Sequence, residues 1–360
     1  MRTDNHIVFL CSRLDLPGGI ERAITNTANL LQSKGHEITL LVLDETDACF
    51  YPVHPQIKIK KAPLHFGITT KGNLISRKIA FYNHLNKLKE LVSQLEPHII
   101  IGTEYVYSIA AKLSIRDQSI KIFSWEHHHY KHLAKSRFWQ FLFKKIYPSL
   151  SCVICLNKDE AAYFKSMGCK TAVIPNFTVK SNRLPSKHEN KQLLTVGWLS
   201  KTKGADLIPA IADIVFTKYP DWTWKIAGSG DEEEVINTYQ GKIELIKPST
   251  PHIEELYMES SIYILPSRFE CFPMVLLEAM SCGVPVVAFD CPTGPRHIIK
   301  NGEDGFLIEP QNTTAMAGAI CSLIEEAERR KDMGTRAAQN IQRFSAENVY
   351  ALWQTLLKDA

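Results

Sequence analysis

Short apolar runs recur through the first half of the chain and alternate with longer stretches of helical period. His6 to Cys11, Ile38 to Leu43, His98 to Ile101, Ile120 to Ser124, Cys152 to Leu156 and Ala172 to Pro175 read as strands. Ile20 to Leu31 and Ile75 to Leu95 instead repeat apolar residues at helical spacing. Strands that are apolar throughout and separated by helices predict a parallel α/β sheet covered on both faces. Asn176 to Gln192 breaks the rhythm with Pro, Ser, Asn and Lys, and reads as an interdomain linker. A second series follows: Leu193 to Val196, Trp224 to Ala227, Ile243 to Ile246, Ile262 to Leu265, Pro285 to Phe289 and Phe306 to Ile308. The expectation is an α/β protein of two doubly wound domains, 1–180 and 181–340, facing across a cleft. Residues 341–360 carry a last helix, Glu347 to Leu357, expected to fold back towards the first domain.

The segment Ser267 to Gly283 holds the most chemistry. It follows the strand-like Ser261 to Pro266, and Pro273 at a first helical position introduces an almost wholly apolar helix closed by Gly283. Glu270 falls in the loop and Glu278 about five residues into the helix, roughly 7 to 8 Å along its axis. Between them lie the free N–H groups of a helix N-terminus, where unpaired donors and the helix dipole attract phosphate. A diphosphate held there has room for a hydroxyl-rich ring on either side, each met by a carboxylate. A nucleoside diphosphate sugar has that layout. Glu278 is flanked by Leu277, Ala279 and Met280, and a carboxylate in such company needs a polar partner.

Two further loops leave strands. Pro17-Gly18-Gly19 opens a helix with a backbone that a bulky anion can approach closely, although the dinucleotide pattern G-x-G-x-x-G is absent. In the second series Gly197 is followed by Lys201 and Lys203, cations suited to a departing pyrophosphate.

Composition is that of an ordinary globular protein, 45% hydrophobic and 22% charged. The nine cysteines are scattered through apolar segments and fit reduced core residues; Cys152 and Cys155, though spaced like a redox pair, lie inside a strand-like run. No apolar stretch reaches the length that spans a bilayer, and no secretory signal pattern opens the chain, so a cytoplasmic location is expected. Net charge is only +4 but uneven, with basic residues such as Lys58, Lys61, Lys71, Lys78 and Lys89 before Glu90. Around 131–147, Lys131, Lys135, Arg137, Lys144 and Lys145 interleave with Phe138, Trp139, Phe141, Phe143 and Tyr147. Such a helix suits an anionic membrane surface, or else packs its aromatic stripe in the core. No nucleic-acid motif accompanies the charge, so a nucleic-acid partner is not expected.

Taken together the motifs resemble the family-4 retaining glycosyltransferases. The likeness runs through Gly18-Gly19, Glu126-His127, Ile174 to Asn176, Val196-Gly197 with Lys203-Gly204, and Ala227 to Gly230. It continues through Glu-x7-Glu at Glu270 and Glu278, then Cys291 to Arg296 and Gly302 to Gly305. The resemblance implies a GT-B architecture, two Rossmann-like domains, and a nucleotide-sugar donor with no cofactor. It implies that Glu270 contacts the donor hexose, with the backbone of Phe272, Pro273, Met274 and Val275 near the sugar and diphosphate, while Glu278 holds the ribose. Lys203 is implied to stabilise the leaving phosphate, His127 to lie near the transferred sugar and the acceptor, and Gly19, with Gly18, to close over the diphosphate. The chain departs from the family pattern at Trp198, where Arg is common, leaving Lys201 as the candidate replacement; at Cys271, where Gly is usual; and at Arg296-His297, where Glu is frequent.

The reaction that the resemblance implies transfers a hexose or N-acetylhexosamine from a UDP-linked donor with retention of configuration. The acceptor is a hydroxyl of a lipid-linked or lipopolysaccharide oligosaccharide, at the inner face of the cytoplasmic membrane. Positive charge grows on the sugar and negative charge on the diphosphate as the C1–O bond breaks, so Lys203 and helix N-termini act where charge appears. No Asp-x-Asp occurs and no metal is expected. The cluster Glu126-His127-His128-His129 with His132 has zinc-like composition, but adjacent residues point to opposite faces. Two other readings stay open: a nucleotide-sugar epimerase, which would turn over donor alone, and a non-catalytic membrane scaffold, which would bind no donor.

Overall fold

The computed structural model describes residues 5–66, 74–130, 135–178, 186, 188–234, 241–247 and 253–358. Lys71, Lys131 and His132 lie outside the described residues. The chain divides into two compact units, 1–175 with 350–360, and 176–349.

The first unit is built on a seven-stranded sheet: β1 (His6–Cys11), β2 (Glu37–Val42), β3 (Lys58–Lys61), β4 (Ile99–Gly102), β5 (Lys121–Glu126), β6 (Cys152–Cys155) and β7 (Thr171–Val173), in the order β3-β2-β1-β4-β5-β6-β7. Every neighbouring pair is parallel. Residues Ile7 to Cys11 are fully buried, as a strand covered on both faces must be. Helices α1 (Gly19–Ser33), α2 (Leu74–Leu95), α3 (Tyr105–Ser114), α4 (Arg137–Ile146) and α5 (Lys158–Ser166) make the crossovers. The β3 segment was not foreseen: Lys-Ile-Lys-Lys has one apolar residue, and lysines on an edge strand discourage pairing with another chain. Cys152 and Cys155 are buried free thiols on β6, and burial pushes the Cys152 thiol up to about 11, so the pair is core packing.

The second unit repeats the plan with six parallel strands: β8 (Gln192–Val196), β9 (Thr223–Ala227), β10 (Ile243–Ile246), β11 (Ile262–Leu265), β12 (Val286–Phe289) and β13 (Gly305–Ile308), ordered β10-β9-β8-β11-β12-β13. Counted from its own first strand, this is again the order 3-2-1-4-5-6 of doubly wound sheets. Its helices are α6 (Ile208–Lys218), α7 (Ile253–Glu259), α8 (Met274–Ser281), α9 (Thr313–Glu325), α10 (Ala327–Asn340) and α11 (Ala346–Lys358); the last runs across the division into the first unit. Both ends of the segment expected as a linker are packed. Phe177 is buried, and the buried Ser186 donates its hydroxyl to the Ser260 carbonyl at 2.8 Å. Arg330, 7% exposed, donates to the carbonyls of Leu323, Ile324 and His188, closing the last turn of α9 with its guanidinium.

Among the described residues no helix is long and apolar enough to cross a membrane. The aromatic helix α4 divides its stripe: Trp139 and Phe143 are buried, whereas Phe138 is 54% and Phe141 62% exposed. Lys135 does not join the outer face. Its ammonium lies 4.2 Å from the Phe143 ring centre and 5.0 Å from that of Tyr105, and burial lowers its pKa. Phe81 of α2 meets both Phe138 and Trp139, and Ile79 and Tyr82 of the same helix are exposed.

Candidate functional site

In a doubly wound sheet the ligand crevice opens at the carboxyl ends of the strands where the order reverses, which in the second unit is between β8 and β11. Gly197 leaves the end of β8, and its N–H donates to the Ala227 carbonyl at 3.0 Å. Ser200 then caps a single turn, Lys201–Lys203, that ends at Gly204 with φ +71. A Cβ at Gly204 would sit 1.9 Å from the Pro266 carbonyl oxygen, so glycine is needed both for the left-handed backbone and for seating the turn on the end of β11. Arg268 locks the same contact. Its N–H donates to the Thr202 carbonyl at 2.9 Å, and its guanidinium forks onto Asp206 at 2.6 and 2.9 Å.

This seating delivers Lys203 to Glu270. The Lys203 Nζ lies 2.8 Å from Glu270 Oε1, and the same oxygen accepts the Ser267 hydroxyl at 2.8 Å. The Glu270 side chain is 9% exposed and that of Lys203 38%, so the pair sits at the wall of the crevice with its cation side more open. The Glu270 backbone is held as well. Its carbonyl accepts the Thr293 hydroxyl at 3.0 Å and the Gly294 N–H at 3.2 Å. A Cβ at Gly294 would come within 2.7 Å of Glu270 Cβ. Ser267, Thr293, Gly294, Arg268 and Asp206 were not identified as supports of the site from sequence. The Ser-x-x-Glu spacing of Ser267 and Glu270 was the available signal.

Helix α8 begins one residue later than expected. Pro273 is its N-cap, extended at φ −69 and ψ 115, because proline fixes φ but leaves ψ free to hold the chain outside the helix. Phe272, Pro273 and Met274 are buried and Val275 is partly exposed. The Asn176 amide donates to the Phe272 carbonyl at 3.3 Å. The N–H groups of Met274 and Val275 belong to a first turn, which has no intrahelical acceptors to offer them. Glu278 is 6% exposed, and its Oε2 accepts the hydroxyl of the fully buried Tyr257 at 3.0 Å. The polar partner that a carboxylate in this helix requires is thus supplied in part by α7. Trp198, in the place of the usual arginine, is 56% exposed, and Lys201 is exposed beside it on the same loop.

The remaining candidates belong to the first unit. Gly18 caps α1 and Gly19 is its first residue. A Cβ at Gly18 would lie 2.0 Å from Glu21 Oε2, so the carboxylate of Glu21 covers this N-terminus, and burial raises its pKa. His127 follows the end of β5 and is 8% exposed. Its Nε2 is buried without a hydrogen-bond partner among the described residues, and burial pulls its pKa down to about 3, so the ring is a neutral imidazole. Beside it Glu126 is buried, accepting the hydroxyls of Ser124, at 2.6 Å, and Tyr147, and burial raises its pKa. His129 Nδ1 lies 2.9 Å from Glu160, whose carboxyl burial lifts to about 7. His127 and His129 are buried while His128 is exposed, and among the described residues no three His, Cys, Asp or Glu side chains are grouped to hold a metal ion.

Two family descriptions match this chain: "Glycosyltransferase Family 4" over residues 17–179 and "Glycosyl transferases group 1" over residues 176–340. Together they take in nearly the whole chain, which belongs to the family-4, group-1 glycosyltransferases of GT-B fold. An uncharacterized glycosyltransferase of Haemophilus influenzae is 29% identical, covering 98% of this chain and 99% of that protein. A Campylobacter jejuni α-1,4-N-acetylgalactosaminyltransferase, named for an undecaprenol-diphosphate-linked acceptor, is 24% identical over 98% of each chain. Staphylococcus aureus TarM, solved as a mutant with UDP, superposes with a TM-score of 0.82 at 15% identity, covering 98% of this chain and 99% of that one.

Proposed function

We propose that the protein transfers a hexose or N-acetylhexosamine from a UDP-sugar, with retention and without a metal ion, to a hydroxyl of a lipid-linked or lipopolysaccharide oligosaccharide. The observation that carries this reading is the Lys203–Glu270 pair at the β8–β11 crevice, beside the N-terminus of α8. The ammonium of Lys203 meets the negative charge that grows on the leaving diphosphate, with the Met274 and Val275 N–H groups as further donors. This is the charge that other transferases draw from a divalent cation. Glu270, already directed by Ser267, accepts hydroxyl hydrogen bonds from the reacting sugar. Glu278 holds the ribose, exchanging or sharing its Tyr257 contact. Gly18 and Gly19 accept the diphosphate only if the Glu21 carboxylate is protonated or moves aside, because two anions would otherwise share one helix end. His127, neutral across the physiological range, serves as a hydrogen-bond partner of the transferred sugar or the acceptor rather than as a charged acid.

The relatives' acceptors support the lipid-linked choice, and the outward face of α4 supports work at a membrane. Phe138 and Phe141 project there beside Lys144 and Lys145, a combination that suits anionic lipid. The test is incubation with a panel of UDP- and GDP-sugars and a polyprenyl-diphosphate-linked acceptor, in the presence of EDTA, with the anomeric configuration of the product read by NMR. An α-linked product from an α-linked donor is expected. Absence of transfer with every donor, or a requirement for a divalent ion, refutes the reading. Sedimentation with vesicles containing phosphatidylglycerol tests the surface: Phe138→Ser with Phe141→Ser is expected to weaken binding about tenfold.

A further inference from the structure

His127 is located by packing. Its Nε2 makes no hydrogen bond to a described residue, and neither does Nε1 of the neighbouring Trp125, 1% exposed on β5. The two rings lie 4.4 Å apart at 52°. With no hydrogen bond from Trp125 Nε1 to a described residue, the orientation of the indole depends on what presses on it. One neighbour is Phe9 of β1, at 6.4 Å; another is Trp353, edge-on at 5.5 Å and 88°. An edge-to-face contact of this kind has a preferred geometry and resists rotation of the ring it meets.

Trp353 arrives from the other end of the sequence. It is fully buried on α11, where Val349, Trp353 and Leu357 form a buried stripe at four-residue spacing. The same helix is tied to α1 by Lys34, whose ammonium lies 5.1 Å from the Tyr350 ring centre.

We propose that Trp353 is a positioning residue for His127, acting through Trp125, so that the last helix of the chain sets the imidazole for transfer. The inference rests on the reading of His127 given above. Close packing transmits displacement, because a cavity left by an indole is not filled without movement of its lining. Loss of Trp353 therefore releases Trp125 and, with it, the face against which His127 lies. On the proposed reading donor binding belongs to Lys203, Glu270 and Glu278, so the defect falls on kcat and spares the donor KM.

The test uses the full chain carrying Trp353→Ala and Trp353→Phe, with His127→Ala as reference. Turnover on the best donor and acceptor is expected to fall about tenfold to a hundredfold in Trp353→Ala at unchanged donor KM. Trp353→Phe, which keeps an aromatic edge and is the safer fold, should recover most of the loss. The direct readout is the His127 imidazole by NMR. In the parent it does not titrate between pH 5 and 8; in Trp353→Ala its resonances shift and titration enters that range. Unchanged His127 resonances in both Trp353 variants overturn the proposal whatever the turnover does. Unchanged turnover in His127→Ala overturns the underlying catalytic reading, and shifted resonances in Trp353→Ala would then distinguish that failure from failure of the packing relay.

Discussion

Replacing Lys203 by Ala removes the ammonium held against Glu270 at 2.8 Å. During transfer close to a full negative charge develops on the leaving phosphate. A unit charge about 4 Å from the ammonium, in the effective medium of a protein crevice, contributes about 4 kcal/mol. Deleting a single preorganised donor from an active site costs about 2.7 to 4 kcal/mol of transition-state stabilisation, a range that overlaps this figure. The expected loss is therefore about 100- to 1000-fold in kcat. Donor KM rises too, because Glu270 loses its counter-ion and faces the incoming diphosphate as a bare carboxylate. Stability should change little. Lys203 is 38% exposed in its side chain, so the pair is solvent-screened on the cation side and is worth about 1 kcal/mol to the fold, a few degrees of melting temperature. The assay is initial-rate UDP release at saturating donor and acceptor, with thermal unfolding measured on the same samples. The Glu270→Ala variant and the double variant complete a cycle, and the double should be scarcely worse than the poorer single. A Lys203→Ala enzyme within threefold of the parent kcat refutes the charge argument. So does a loss matched by a collapse in melting temperature, since it would then trace to folding.

Other outcomes follow from the same structure. Glu278→Gln should raise donor KM about tenfold with a smaller change in kcat, and Tyr257→Phe should do less, which steady-state kinetics across UDP-sugar concentrations will report. Glu160, lifted from 4.5 to about 7 by burial, holds its proton more tightly when folded than when unfolded. Its contribution is thus fully present below about pH 4.5 and falls as pH rises through 7, by about 3 kcal/mol at most; Glu160→Gln should flatten that decline in urea titrations at pH 5 and pH 8. Arg330→Met removes the donors to three carbonyls, two of them buried, and should destabilise the second unit by about 2 to 4 kcal/mol, leaving turnover per folded molecule unchanged.

Much of the architecture was legible because buried parallel strands are written as uninterrupted apolar runs. His6–Cys11, Ile243–Ile246 and Ile262–Leu265 fall residue for residue where the pattern places them. The β3 strand escaped because an edge strand needs few apolar residues and is protected by charge, so its signal is that of a loop. Pro273 was misplaced by one position because proline is at home both in the first turn and at the cap. Within the site, residue types pointed to the phosphate chemistry, but not to the partners. Nothing near Lys203 in sequence says that it reaches Glu270. That contact depends on Gly204 letting the turn settle onto Pro266. Tyr257 was likewise invisible, since a tyrosine on a short helix carries no mark of the carboxylate it meets. Trp353 and Trp125 are far apart in the chain, and no motif in the sequence pairs them.

The first unit is discontinuous: its body ends at Pro175, and its remaining piece, from Tyr350 onward, is made after the second unit. During synthesis the whole second unit must be translated before Trp353 exists, a delay of roughly 10 to 35 s at common elongation rates. For that interval the sheet surface around Trp125 has no indole to cover it. The first unit therefore starts translation before the second and receives its remaining piece after it.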